Sequence, residues 1–295
     1  MKKLPFTGAA VAIVTPMNEN GSVNFAKFAE IIDKQIAAGT DAVIVCGTTG
    51  EGSTLSIEEH EAVMKFCIDK VAKRVPVIAG TGSNDTAFSV RLSKEAEAYG
   101  ADGLLLITPY YNKTSQKGLV AHFGAVAEAV KIPCILYSVP GRTGMNILPE
   151  TCKELSKFEN IVAIKEASGN LSQIARIIAL CGDDLAVYSG EDGQVVPIMS
   201  LGGKGVISVL SNVAPKETHE MAAACLSGDF KTGAALQLKY LALIDALFSD
   251  VNPIPVKEAM NLMGMNVGPC RLPLVPMSDA ARENLKNQLA AVNLL

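Results

Sequence analysis

Between Ala9 and Leu226 a short run rich in β-branched residues gives way, again and again, to a longer amphipathic segment. The pairs are Ala9–Val14 with Phe25–Ala37, Ala42–Cys46 with Ile57–Val71, Val77–Ala79 with Thr86–Tyr99, and Gly103–Ile107 with Lys117–Val130. Then come Cys134–Tyr137 with Pro149–Phe158, Val162–Lys165 with Leu171–Leu180, Ala186–Ser189 with a helix near Gln194–Leu201, and Gly205–Val209 with Pro215–Leu226. The short runs are apolar on both faces, as strands of a parallel sheet covered on both sides must be. Eight such units predict an α/β chain folded as a closed (β/α)8 TIM barrel. An open doubly wound sheet is the alternative, but the regular series without an insertion favours closure. After Leu226 no strand pattern recurs. Lys231–Phe248, Pro255–Met263 and Asp279–Val292 read as helices, and Asn252-Pro-Ile-Pro255 as a rigid break between two of them. The expected division is a catalytic barrel over 1–226 and a C-terminal helical region over 227–295.

Composition removes several classes of function. With 49% hydrophobic and 19% charged residues, the chain has the make-up of a compact globule and not of a disordered one. A net charge of −4 argues against nucleic acid or an acidic membrane surface as the main partner. No apolar run approaches the ~20 residues that span a bilayer. Met1-Lys-Lys-Leu-Pro5 leads into no apolar core of a secretory signal. The seven cysteines are odd in number and lack a C-x-x-C pair; Cys46, Cys67 and Cys134 fall inside apolar patterns. Free buried thiols in a reducing cytoplasm are the simplest reading. His60, His122 and His219 are the three histidines, none in ligand spacing, so no metal site is expected and neither a zinc enzyme nor a Ser-His-Asp hydrolase fits.

In a barrel of this kind, chemistry sits where strands hand over to helices. Ile161-Val-Ala-Ile-Lys165 ends in a lysine, followed by the turn Ser168-Gly-Asn170. Lys165 is either a solvated strand end or a partly desolvated amine able to form a Schiff base with a carbonyl substrate. The second junction, Cys46-Gly-Thr48-Thr49-Gly50-Glu51-Gly-Ser53, sets hydroxyls among glycines at a helix entrance. It suits a carboxylate or phosphate cradle, although a plain βα turn is the alternative. No G-K-[S/T] follows, so it is not a P-loop. Thr81-Gly82-Ser-Asn84 reads as turn chemistry and an N-cap. Thr108-Pro-Tyr110-Tyr111-Asn112 places two of the six tyrosines at one junction, where one can pack while the other presents its hydroxyl.

Tyr137-Ser-Val-Pro140-Gly-Arg142-Thr143-Gly144 offers a phenol at a strand end and an arginine in a loop that looks too Gly-rich to be helical. That arginine could clamp a substrate carboxylate bidentately, or make a surface salt bridge. Ser189-Gly190-Glu-Asp192 and Ile207-Ser208 complete the set. A lysine nucleophile beside phenol and hydroxyl proton relays suits imine chemistry on a 2-oxo acid, with the threonine turn holding its carboxylate.

Four of these stretches, in this order, resemble a known family: Gly47-Thr48-Thr49-Gly50-Glu51, Thr108-Pro-Tyr-Tyr-Asn112, Tyr137-x-Val-Pro-x-Arg142-Thr-Gly144 and Ile164-Lys165-Glu166-Ala167-x-Gly169-Asn170. They are similar to the dihydrodipicolinate synthase family, pyruvate-dependent class I aldolases related to N-acetylneuraminate lyase. The similarity runs from about Phe6 to the C-terminus and takes in Asn252-Pro-Ile-Pro-Val-Lys257 and Arg271-Leu-Pro-Leu274. Ser138, where many relatives carry Asn, and Gly141 are small departures.

The resemblance implies that Lys165 forms an imine with pyruvate and that Tyr137, Thr48 and Tyr111 form a proton relay. It implies that Thr48 and Thr49 hold the pyruvate carboxylate, that Arg142 binds the carboxylate of aspartate semialdehyde, and that Gly190 and the Ile207 carbonyl line the pocket. It further implies no cofactor beyond covalently bound pyruvate, and a homotetramer of two tight dimers with Tyr111 crossing into the neighbouring site. The reaction implied is condensation and cyclisation in lysine and diaminopimelate synthesis. The alternative is an aldolase of the same superfamily acting on a sialic or sugar-derived 2-keto acid. A non-enzymatic barrel that senses a small acid has no use for Lys165 beside Tyr137. Lysine-regulated members hold the end product with polar groups that include a histidine and a glutamate. The matching positions here are Ile57 and Phe88, and a serine of that pocket corresponds to Gly52, while His60, Asn84 and Tyr110 keep part of its shape. Weak or absent feedback by lysine is therefore expected.

Overall fold

In a computed structural model describing residues 2–295, the strand runs pair in parallel and close on themselves. The N-terminal reading includes Met1, which lies outside the described residues. The strands are β1 (Gly8–Ala12), β2 (Ala42–Val45), β3 (Val77–Gly80), β4 (Gly103–Ile107), β5 (Cys134–Ser138), β6 (Ile161–Glu166), β7 (Ala186–Ser189) and β8 (Gly205–Ser208). β8 returns to β1 with Gly8 opposite Gly205 and Val11 opposite Ser208, so the expected barrel is closed.

The helices around it are α1 (Phe25–Ala37), α2 (Ile57–Val71), α3 (Thr86–Tyr99), α4 (Gln116–Ala129), α5 (Pro140–Thr143), α6 (Pro149–Leu155), α7 (Leu171–Cys181), α8 (Val195–Ser200) and α9 (Pro215–Leu226). Three more follow: α10 (Phe230–Leu247), α11 (Ile254–Leu262) and α12 (Asp279–Ala291). The α5 turn corrects the expectation of a non-helical loop around Arg142. Pro140 at the first helical position presets φ, and Gly144, at φ +67°, closes the turn by donating its N–H to the Pro140 carbonyl.

Side chains alternate across each strand and build two apolar layers. Ile44, Ile78, Leu105, Ile135, Tyr188 and Ile207 fill the barrel interior. Phe6, just ahead of β1, stacks on Tyr188 with ring centroids 4.5 Å apart. Val43, Leu104, Leu106, Leu136 and Ile164 face outward against the helices, in one cluster that continues into Leu247, Val256, Leu285 and Leu289 of the C-terminal helices. Those helices therefore pack on the barrel wall, and the segment between α10 and α11 reaches its C-terminal mouth. Cys46, Cys67 and Cys134 are buried free thiols, as the apolar patterns suggested.

Candidate active site at the mouth of the barrel

Strand β6 delivers its lysine by alternation. Ala163 belongs to the interior layer and Ile164 to the outer one, so Lys165 turns inward and Glu166 outward. Lys165 is 6% exposed, and its Nζ sits 4.2 Å from the ring centroid of Tyr137, its direct neighbour across the β5–β6 ladder. Outside the barrel, Glu166 accepts hydrogen bonds from Ser168 N (3.2 Å) and Ser168 Oγ (2.9 Å). Burial pushes its carboxyl up to about 7.

A cavity of about 230 Å³ opens beside Lys165, and Thr48, Thr49, Tyr137, Arg142 and Gly190 line it with the amine. Gly190 has to be glycine there, since a Cβ would lie 3.1 Å from Lys165 Cε and 2.7 Å from Ala167 Cβ. The structure thus gathers six of the eight residues singled out from sequence. The other two are not among the residues lining this cavity. Ile207 has its side chain in the barrel interior, 1% exposed. Tyr111, at φ +70°, is 92% exposed and outside this cavity.

Two supports of the site stood in the sequence only as parts of longer motifs, with no role attached. Asn252, just after α10, also lines the cavity. Its Nδ2 donates to Thr49 Oγ1 (3.0 Å), while its backbone carbonyl accepts from Arg142 Nη2 (3.0 Å). A threonine hydroxyl that accepts from an amide keeps its own proton for another acceptor. The second support is a buried ion pair beneath the threonine loop. Glu51, at φ +53°, accepts from Lys257 Nζ at 2.8 Å and from Arg271 N at 2.8 Å, and both charged side chains are at most 2% exposed. The Glu51 N–H closes the turn on the Thr48 carbonyl (3.1 Å). The motifs around Asn252 and Arg271 marked these regions without saying what they touch.

A second cavity, about 400 Å³, shares Thr48, Tyr137 and Arg142 with the first and extends past Ile57, His60, Phe88 and Tyr110. His60 holds the Gly80 carbonyl through Nε2 (2.9 Å), and burial lowers its pKa. The Phe88 ring lies under Arg91, 5.4 Å from guanidinium to centroid. A cavity of about 460 Å³ lies between the first βα loop and the segment after α11, and its lysine, Lys257, is already engaged by Glu51. Among the described residues no group of three or more His, Cys, Asp or Glu is placed to hold a metal ion, and no helix is long and apolar enough to cross a membrane.

A (β/α)8 barrel whose C-terminal mouth holds a buried amine beside a phenol, paired threonines and a guanidinium defines the class of barrel enzymes that act on small molecules. Within it, the model of the dihydrodipicolinate synthetase family matches residues 5–292. The chain is 58% identical over 295 residues to 4-hydroxy-tetrahydrodipicolinate synthase of Acetivibrio thermocellus, with 100% of both chains covered. It superimposes with a TM-score of 0.96 on the chloride-inhibited dihydrodipicolinate synthase of Acinetobacter baumannii complexed with pyruvate, at 43% identity, covering 98% of this chain and 99% of that one. A monomeric dihydrodipicolinate synthase variant gives the same TM-score of 0.96 at 42% identity, covering 99% and 98%. The chain belongs to the dihydrodipicolinate synthetase family.

Proposed function

We propose that Lys165 carries pyruvate as an imine and that the residues around it run the condensation from there. The chain is an enzyme that joins pyruvate to L-aspartate 4-semialdehyde to give 4-hydroxy-tetrahydrodipicolinate, a step of lysine and diaminopimelate synthesis. In this reading the amine of Lys165 attacks C2 of pyruvate, and water leaves as the imine forms. Thr48 and Thr49 hold the pyruvate carboxylate. The Tyr137 phenol, with Thr48, moves protons to the departing oxygen and from the methyl carbon. That carbon then attacks the aldehyde, whose carboxylate end is held by Arg142. The amino group of the adduct attacks the imine carbon, closes the ring and returns Lys165 as the free amine. No cofactor enters this sequence.

One observation carries the reading: an almost fully buried amine faces a cavity with a phenol, two threonine hydroxyls and a guanidinium. The sugar-acid alternative is not favoured, because a polyol aldehyde gains nothing from a cation at Arg142. Incubation with pyruvate and borohydride tests the proposal. Irreversible inactivation and added mass on the peptide containing Lys165 are expected, and an unmodified Lys165 under these conditions would overturn the mechanism.

The assembly belongs to the same proposal: a homotetramer of two tight dimers in which Tyr111 completes the relay of the neighbouring subunit. The exposure of Tyr111 supports this, since a phenol held at a left-handed φ and turned away from its own chain is suited to another. The division into a barrel over 1–226 and a helical region over 227–295 is likewise proposed, with the second part bracing the site through Asn252 and Lys257. A cytoplasmic location, and the absence of nucleic-acid or membrane partners, go with a biosynthetic enzyme on small acids.

A further inference from the structure

We infer that Glu191 binds the α-ammonium group of the aldehyde substrate and so fixes which end of that molecule meets Lys165. The inference rests on the function proposed above.

Aspartate semialdehyde carries a carboxylate and an ammonium on one carbon and the aldehyde two carbons away. A site that orients it through the carboxylate alone leaves the molecule free to swing about that contact. Enclosing the ammonium without an acceptor is costly as well. Among the described residues lining the cavity beside Lys165, Glu191 is the single acid.

The other acids near the mouth are engaged. Asp192 is buried and outside the cavity lining; its Oδ2 accepts from the backbone N–H groups of Val209 and Leu210, both at 2.9 Å, while its buried Oδ1 has no hydrogen-bond partner. Glu166 lies on the outer face of β6 with Ser168. Glu51 is held by Lys257 and Arg271. Glu191 differs from all three. Its backbone is fixed, with the N–H donating to Ser189 Oγ (3.2 Å) and the carbonyl accepting from that same hydroxyl (2.7 Å). Its carboxylate has no hydrogen bond and no ion pair with any described residue. Burial and the neighbouring Asp192 push this carboxyl up, while the positive charge of Lys165 pulls it down. A second cation arriving at Glu191 would relieve the same cost.

Barrel order supplies the geometry. Arg142 stands on the loop after β5, Lys165 ends β6, and Glu191 follows β7, and these three strands are consecutive neighbours. Strands lie about 4.8 Å apart, so the ends carrying the two charges flank the amine at a separation of about 10 Å. Long side chains on both sides narrow that gap to the span of a small amino acid. A zwitterion bridging Arg142 and Glu191 is held across Lys165, with its aldehyde directed at the bound nucleophile. A guanidinium alone recognises any carboxylated aldehyde; the added carboxylate selects one that carries an amine.

The test compares aspartate semialdehyde with 4-oxobutanoate, the same chain without the amino group, used as a competitive inhibitor. In Glu191→Gln, kcat/KM for aspartate semialdehyde should fall roughly ten- to a hundredfold, the worth of one charged hydrogen bond. The Ki of 4-oxobutanoate should change less than about threefold on the same reckoning, because that molecule never used the contact. Pyruvate trapping by borohydride should be normal, and Glu191→Asp should retain most of the lost selectivity. Equal losses for both aldehydes, an unchanged kcat/KM, or failure of pyruvate trapping would each overturn the inference. The last of these would make Glu191 a partner of Lys165 instead. Parent enzyme that does not turn over aspartate semialdehyde would instead overturn the function on which the inference rests.

Discussion

Replacing Lys257 with Met should expose how far the threonine loop depends on the C-terminal helices. Lys257 Nζ lies 2.8 Å from Glu51 Oε1 and also donates to the Thr15 carbonyl (3.2 Å) and the Pro269 carbonyl (2.5 Å). Side-chain exposure is 2% for the lysine and 1% for the glutamate, so water cannot replace the lost cation. Met keeps most of the volume and leaves a buried carboxylate with the Arg271 N–H as its remaining partner. Removing one member of a buried pair costs about 3–5 kcal/mol. At roughly 2–4 °C per kcal/mol for a chain near this size, the melting temperature should fall by about 6–20 °C. Because Glu51 sits in the turn that closes on Thr48, the KM for pyruvate should rise along with the loss of stability. Adding Glu51→Gln removes the uncompensated charge and should recover at least about 1 kcal/mol. Thermal unfolding and pyruvate kinetics of both variants decide it. A single variant melting within about 2 °C of the parent, or a double variant no better than the single, would refute the reasoning.

Glu166→Gln should flatten the pH dependence of stability. The folded protein holds this carboxyl at about 7 against an ordinary 4.5, so its contribution is fully present below 4.5 and is lost as pH rises through 7. The difference is worth up to ~3 kcal/mol at pH 8, so the variant should match the parent at pH 4 and melt above it at pH 8; an unchanged slope between those values would count against it. Tyr111→Phe should fold normally and lose most activity, and mixing it with Lys165→Ala chains should restore activity in hybrid dimers; hybrids shown to form but lacking activity would exclude a shared relay. Lysine should give no half-inhibition below about 1 mM, since Ile57 and Phe88 line the second cavity where polar groups would be needed. Titrating lysine against initial rate checks this.

The alternation of strands and helices was legible in the chain because it is a local property. Periods of two and 3.6 residues are set by backbone geometry, and α1, α2, α3 and α9 begin and end where their patterns do. Their ends are local as well: Ser56 and Glu59 cap α2 reciprocally, three residues apart. The end of β6 told that Lys165 stood at the mouth, and the four motifs told which groups would gather near it. The α5 turn runs against the glycine content of its loop because the fixed φ of Pro140 starts a turn that Gly144 ends. What no local pattern carries is the choice of partner among groups far apart in sequence. Asn252 finds Thr49 across 203 positions and Arg142 across 110, and Lys257 finds Glu51 across 206. Those pairs exist because the C-terminal helices dock on the barrel wall and bring their connecting segment to its mouth. The availability of Glu191 is tertiary in the same sense. Glu191 and Asp192 are neighbours of like charge in the sequence, and only the closed barrel, which puts the end of β8 within reach of Asp192 Oδ2, decides that Asp192 bonds to that backbone while Glu191 lines the cavity without a hydrogen-bond partner.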